Sequence, residues 1–146
     1  MEATGLSPLL AQVLMNRGIV TPESAKVYVD PETETLPPPQ KEFPDLDHSI
    51  ALIIEAIAEG ESIIICGDYD ADGMTSTALL LRTLRYLGAK VDYLIPSRMK
   101  EGYGINTRIV EECASNGVGL ILTVDNGIAA YDPIHRAVEL GLQVII

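Results

Sequence analysis

Apolar residues from about position 47 onward alternate between short continuous runs and stripes at helical spacing. The run Ile63–Ile65 is continuous and β-branched, which is typical of a strand covered on both faces. The stripes repeat every three to four residues and end at glycines, as amphipathic helices do. The predicted helices are 47–60, 73–88, 106–115 and 132–141, and the predicted strands are 63–65, 91–95, 119–124 and 142–146. A helix between each pair of strands requires parallel pairing, so the predicted fold is a doubly wound, mostly parallel α/β sheet with flanking helices.

The first 45 residues follow a different pattern. Apolar spacing predicts a helix over 7–17 with Ser7 as its N-cap, and a second short helix that begins at Thr21 and ends near Asp30. The stretch from Asp30 to Pro44 holds five prolines and almost no aliphatic residues, which is typical of an extended linker. We therefore predict a helical segment (1–30), a Pro-rich linker (31–45) and an α/β domain (46–146).

Composition adds limits on the class of protein. The 146 residues are 47% hydrophobic and 21% charged, which suits one globular domain with a sizeable core. Cys66 and Cys113 form no spaced framework, which favours reduced thiols and a cytoplasmic location. No apolar run approaches the length of a membrane span and no signal-peptide pattern is present, so we expect no membrane partner. The net charge of −11 argues against strong nucleic-acid binding by these residues alone, because Lys and Arg supply most of that affinity.

An acidic stretch, Gly67–Gly73, directly follows the first predicted strand and contains Asp68, Asp70 and Asp72. At a spacing of two residues, these side chains would point the same way in an extended segment. Converging like charges repel unless cations neutralise them, and hard carboxylate oxygens suit Mg²⁺ or Mn²⁺. The stretch therefore predicts a metal site at the carboxyl end of a parallel strand, where open α/β sheets place their sites.

A plain turn and a calcium loop account less well for this stretch. An Asp-Gly pair after a strand is ordinary turn chemistry, but three spaced carboxylates exceed what a turn needs. The stretch also matches the first six positions of an EF-hand calcium loop. The calcium loop fails because Leu79 stands at the twelfth position, where a bidentate Glu is required, and because a strand precedes the stretch.

A fourth carboxylate, Asp125, ends the third predicted strand in the same way as Asp68 ends the first. Parallel strands bring their carboxyl ends to one edge of a sheet, so Asp125 is a further candidate ligand. The residues alone leave open the alternative that Asp125–Gly127 is a plain turn.

The loop after the second strand carries candidate substrate contacts. Arg98 could bind a phosphate bidentately and Tyr103 could stack on a base, with Gly104 and Asn126 as further contacts. A solvated arginine and a tyrosine packed in a turn fit the same residues equally well.

The two histidines carry no candidate chemistry. His48 and His135 lack carboxylate or cysteine partners at ligand spacing, so we expect them at helix caps or on the surface.

Three motifs in order resemble those of the RecJ-like single-stranded-DNA exonucleases of the DHH phosphoesterase superfamily: Gly67–Gly73, Ile95–Gly104 and Thr123–Gly127. The resemblance covers about 46–146 and, more loosely, Asn16–Ile19. It implies a metal-dependent phosphodiesterase that removes nucleotides from single-stranded DNA in the 5′-to-3′ direction in DNA repair and recombination. It also implies two Mn²⁺ or Mg²⁺ ions, and a single-strand-binding protein or a helicase as protein partner.

The resemblance further implies roles for the acidic residues. Asp70 and Asp72 would each ligate one ion and Asp125 would bridge both, which makes these three the catalytic candidates. Several superfamily members have a ligand histidine at the position of Cys66. Thiolate is poorly matched to Mn²⁺, so we expect Cys66 in the core and Asp68 as a ligand or as a supporting acceptor.

In the family, an Asp-His-His motif directly follows the strand that ends this sequence. We therefore expect the 146 residues to be the amino-terminal lobe of such a domain, to bind Mn²⁺ weakly and to be inactive alone. Two rival functions stay open: another superfamily activity, such as a nano-RNase, a cyclic-dinucleotide phosphodiesterase or a manganese pyrophosphatase, and a non-catalytic RecJ-like binding module.

Overall fold

A computed structural model describes residues 5–97, 99 and 101–146 and divides the chain into two compact units. The first unit ends at Pro44 and the second is Asp45–Ile146. Within the described part of the chain, no helix is long and apolar enough to cross a membrane.

The first unit consists of short helices. Helix α1 is Pro8–Asn16 and helix α2 is Pro22–Val29, and Ser7 and Thr21 accept hydrogen bonds from backbone N–H groups at their N-termini. Where the sequence predicted extended backbone, the structure has a single 3₁₀ turn, Pro31–Thr33, and a one-turn helix α3, Pro39–Glu42. Each begins with a proline, whose fixed φ suits the first turn of a helix.

The second unit confirms the predicted α/β fold. Its helices are α4 (Leu46–Glu59), α5 (Ala71–Tyr86), α6 (Thr107–Ser115) and α7 (Tyr131–Glu139). Its strands are β1 (Ser62–Cys66), β2 (Lys90–Leu94), β3 (Val118–Thr123) and β4 (Gln143–Ile145). The strands form one parallel sheet in the order β2-β1-β3-β4.

Helices cover both faces of this sheet, which explains the continuous apolar run in β1. Ile63 and Ile65 are fully buried in a cluster that includes Leu84 of α5. Cys66 is fully buried in a second cluster, with Ile109 of α6 on the opposite face. Burying one isoleucine side chain contributes about 1.5–3 kcal/mol. The apolar side chains on each face of β1 therefore stabilise the packing of a helix against that face.

Two helix starts differ from the sequence prediction. Helix α5 begins at Ala71 rather than near Gly73, because Asp70 is its N-cap and accepts a hydrogen bond from the Gly73 N–H. Helix α7 begins at Tyr131, so Asp132, where the predicted helix began, lies inside the first turn instead. There its negative charge still interacts favourably with the helix dipole.

The strand order creates a crevice at the carboxyl edge of the sheet. The chain leaves β1 toward β2 on one side, and the connection from β2 then crosses to β3 on the other side. The loop after β1 and the loop after β3 therefore lead away from each other, although the two strands are neighbours in the sheet. Open α/β sheets bind ligands at such a switch point.

Candidate metal centre

Three aspartates converge at this switch point. Asp68 follows β1, Asp70 caps α5 and Asp125 follows β3, so three separate local structures deliver the carboxylates. One oxygen from each lies within 4.8 Å of the other two. Such a group of oxygen donors suits a hard divalent cation such as Mg²⁺ or Mn²⁺.

Asp68 is the buried member of the group. It is only 1% exposed, and its Oδ1 atom has no hydrogen-bond partner within the part of the chain that the structure describes. An unpartnered carboxylate oxygen at such a position is unfavourable because it has lost its water without a replacement. A cation bound among the three aspartates would supply the missing interaction, so the site fits a metal ion.

Close backbone packing brings α5 against the Asp68 loop. A Cβ atom added at Gly73 would lie 2.7 Å from the Cβ of Asp68 and 3.0 Å from its Cα. A Cβ at Gly67 would overlap the Thr77 hydroxyl. These two glycines therefore allow the first two turns of α5 to reach the end of β1, which places Asp70 beside Asp68.

Asp72 lies outside the group of three but interacts with Asp70. The hydrogen bond from the Gly73 N–H is the largest influence on the pKa of Asp70 and lowers it. The shared hydrogen bond with Asp72, partial desolvation and the charges of Asp72 and Asp68 together outweigh it, so the pKa of Asp70 is raised. The same contact with Asp70 lowers the pKa of Asp72. Asp70 thus belongs to the group with Asp68 and Asp125 and also contacts Asp72.

Asn126 connects the loops that carry the ligands. Its side-chain Nδ2 donates to the carbonyl oxygens of Cys66 at 3.0 Å and Val124 at 2.8 Å, with a longer contact to Gly67 at 3.4 Å. Its Oδ1 accepts from the Ile105 N–H at 3.1 Å. This buried amide joins the ends of β1 and β3 and the loop before α6.

The loop before α6 also contacts Asp125 directly. The Tyr103 hydroxyl donates to the carbonyl oxygen of Asp125. Desolvation and then the negative charge of Asp125 raise the pKa of Tyr103, so the phenol stays protonated and remains a donor. Gly104 has φ 72°, and an added Cβ would meet the Cβ of Asn126 at 3.0 Å, so the loop needs glycine at this position.

A second contact ties this loop to α6. Glu101 pairs with Arg108 and accepts a hydrogen bond from the Ser97 N–H at 2.8 Å. The pair bridges the loop after β2 and the first turn of α6, and it is the largest cause of the raised pKa of Arg108.

An open groove of about 680 Å³ lies beside Asp125. Tyr103, Ile105, Ile128 and Pro133 line its walls, and Asp125 faces into it. The groove therefore offers apolar surface next to a candidate ligand.

The other residues singled out in the sequence are an arginine, the two cysteines and the two histidines. Arg98 lies outside the described residues. Cys66 is buried, and burial raises the pKa of its thiol to about 12, as expected of a core residue. Both cysteines are unpaired. His48 is exposed, and His135 is exposed and faces Glu139 at 3.4 Å.

Sequence reasoning missed three features of the site. It assumed extended backbone from Asp68 to Asp72, and it did not anticipate that both ends of the Asn126 amide are engaged within the fold. It also did not anticipate the link between Glu101 and Arg108, whose signal was present as opposite charges around a helix start.

Comparison with known proteins gives a consistent set of relatives. The sequence profile of the DHH family, N-terminal domain, matches residues 62–146. The single-stranded-DNA-specific exonuclease RecJ of Bacillus subtilis strain 168 is 43% identical over 145 residues, and RecJ of Escherichia coli strain K12 is 35% identical over 142 residues. These alignments cover 99% and 97% of this chain but 18% and 24% of those proteins. The chain thus spans about a fifth of the length of the curated relatives it matches.

Among the solved structures that resemble the chain are two RecJ structures with manganese. A crystal structure of exonuclease RecJ bound to manganese has a TM-score of 0.64 and 43% identity, covering 68% of this chain and 26% of that one. A crystal structure of RecJ from Thermus thermophilus in complex with Mn²⁺ has a TM-score of 0.59 and 34% identity, covering 99% of this chain and 19% of that one.

Proposed function

Since the chain belongs to the DHH family, we propose that it forms the amino-terminal lobe of a metal-dependent phosphodiesterase that degrades single-stranded DNA. The observation that carries the proposal is the buried oxygen of Asp68, which has no hydrogen-bond partner among the described residues and lies beside the carboxylates of Asp70 and Asp125. The relatives support the choice of substrate, because those described above are RecJ exonucleases specific for single-stranded DNA. They favour this activity over the other superfamily activities and over a non-catalytic module.

We assign the metal to the aspartates of the site. Asp68, Asp70 and Asp125 would hold the ion, and the contact between Asp72 and Asp70 supports Asp72 as a candidate ligand of a second ion. When bound, such ions activate a water and stabilise charge on the phosphoryl group in phosphodiester hydrolysis. Two of the relatives were crystallised with manganese, which supports Mn²⁺ as the ion.

The chain's own residues position the substrate and the ligands. The carboxylates of Asp70 and Asp125 are exposed at the edge of the sheet, so a phosphate can reach them. The groove beside Asp125 provides apolar walls for the sugar and base of the adjoining nucleotide. The net charge of −11 disfavours a polyanion elsewhere on these residues, so binding is confined to the place where cations reverse the charge.

We extend the proposal to the direction of digestion, the protein partners and the cellular compartment. Digestion proceeds from the 5′ end in DNA repair, a single-strand-binding protein or a helicase presents the strand, and the setting is cytoplasmic. The unpaired cysteines support a reducing compartment.

The test measures nucleotide release by the natural gene product from single strands labelled at the 5′ or 3′ end, with Mn²⁺ present. Asp70→Asn and Asp125→Asn should each lower the rate by about a thousandfold, as expected when several kcal/mol of transition-state stabilisation are lost. Asp92→Asn is the matched control, because it removes the same charge from an exposed position on β2. Full activity in the Asp125→Asn variant, or equal cleavage of double-stranded DNA, would reject the proposal.

A further inference from the structure

We propose that Tyr103 is a positioning residue whose hydroxyl group fixes the backbone of Asp125, so that the Asp125 carboxylate faces Asp68 and Asp70. The inference rests on the proposed metal site and assigns to Tyr103 a role other than contact with a nucleotide base. Three observations support it: the backbone of Asp125, the hydrogen bonds on either side of it, and the packing of the loop that carries Tyr103.

Asp125 has an unusual backbone conformation. Its φ is 58°, and it is the non-glycine residue with positive φ in the part of the chain described. Few residues other than glycine adopt this left-handed region, although aspartate and asparagine do so more readily than most. The backbone dihedrals decide where the Cα–Cβ bond points, so a return to extended backbone would redirect the carboxylate.

Hydrogen bonds hold the peptide groups on both sides of Asp125. The carbonyl of Val124, in the preceding peptide, accepts from Asn126 Nδ2 at 2.8 Å. The carbonyl of Asp125, in the following peptide, accepts from the Tyr103 hydroxyl. Because both peptide planes are held, φ and ψ of Asp125 are held as well. Of the two hydrogen bonds, the one from Tyr103 comes from outside the turn.

The loop that carries Tyr103 is itself anchored to the same turn. Ile105 N–H donates to Asn126 Oδ1 at 3.1 Å, and Gly104 packs against the Cβ of Asn126. These contacts of the next two residues hold the backbone of Tyr103 close to the turn at Asp125. Tyr103 as a whole is 62% exposed although its hydroxyl is engaged, so part of the ring stays accessible.

That separation of hydroxyl and ring allows a clean experiment. Tyr103→Phe removes the hydroxyl but keeps a ring that can stack on a base. Positioning predicts that the full chain carrying Tyr103→Phe binds Mn²⁺ about tenfold more weakly in a titration followed by electron paramagnetic resonance, as when supporting partners of a metal ligand are removed. It also predicts that the backbone amide NMR signals of residues 125–127 shift in the metal-free variant, while its urea midpoint changes little.

Tyr86→Phe is the matched control, because Tyr86 is 90% exposed and lies at the opposite end of α5 from Asp70. It should leave Mn²⁺ affinity unchanged. Equal Mn²⁺ affinity of Tyr103→Phe and the wild-type chain would overturn the inference. The inference would also be overturned if Tyr103→Leu in the natural gene product raised KM for single-stranded DNA while Tyr103→Phe left it unchanged. That pattern would indicate stacking of the ring on a base. A wild-type natural gene product that binds no Mn²⁺ would instead reject the proposed function.

Discussion

Gly73→Ala is a sharp perturbation of the packing that builds the site. In most helices this change stabilises by about 1 kcal/mol, because alanine has the higher helix propensity. Here the new Cβ would lie 2.7 Å from the Cβ of Asp68 and 3.0 Å from its Cα and carbonyl carbon. Ordinary carbon–carbon contacts are about 3.5–4.0 Å, so α5 and the Asp68 loop must separate by roughly 0.5–1.3 Å.

The atoms that the new Cβ would meet belong to the backbone and Cβ of Asp68, which cannot move aside as the end of a flexible side chain can. Overpacking of this kind costs about 1–3 kcal/mol, which matches or exceeds the gain of about 1 kcal/mol in propensity, so we expect a net loss of up to about 2 kcal/mol in the free energy of unfolding. The same displacement separates Asp68 from Asp70, since the Asp70 carboxylate is bonded to the Gly73 N–H. Mn²⁺ affinity should therefore fall about tenfold or more.

Urea unfolding of the metal-free chain measures the first effect, and a Mn²⁺ titration measures the second. Gly119→Ala is the matched control, because its Cβ would meet the mobile carboxylate end of Glu61 rather than backbone. It should change stability by less than about 1 kcal/mol and leave metal binding intact. A Gly73→Ala chain that is more stable than wild type and binds Mn²⁺ equally well would refute this account of the packing.

Three further predictions concern the core, the thiols and the charges. Ile121→Ala should lower the free energy of unfolding by about 2–5 kcal/mol in urea, because Ile121 is fully buried, whereas exposed Ile54→Ala should have little effect. Cys66 and Cys113 should resist iodoacetamide at about pH 8 until urea is added, because burial raises the pKa of each thiol; rapid native labelling would contradict this. Asp70→Asn should raise the unfolding midpoint of the metal-free chain at pH 7 and weaken Mn²⁺ binding. The raised pKa of Asp70 means that its ionisation disfavours the folded state above that pKa, so the stabilisation should vanish near pH 3, where aspartate is mostly neutral in both states; an equal gain at both pH values would contradict it.

The fold could be predicted from the sequence because its signals are local and periodic. The continuous run Ile63–Ile65 reflects a strand that is buried on both faces of the sheet. The helical stripes around it reflect helices that are buried on one face only. The approximate place of the site followed from the same logic, since strands that end in carboxylates bring them to one edge.

The composition of the site was harder to predict. Asp72 was expected in line with Asp68 and Asp70, but α5 begins at Ala71, so Asp72 contacts Asp70 from within the first turn and lies outside the group of three. The left-handed backbone at Asp125 and the bonds of Asn126 join positions up to 60 residues apart in the chain. Interactions at that separation leave no periodic signal in the sequence.

The most direct test of the metal centre is anomalous diffraction from crystals of the natural gene product grown with Mn²⁺. We predict a manganese peak at the switch point between β1 and β3, at about 2.1 Å from carboxylate oxygens of Asp70 and Asp125 and next to the buried Asp68. The peak should disappear in Asp125→Asn and persist in Asp92→Asn. Manganese bound elsewhere, with the aspartates at the switch point holding only water, would contradict the central claim.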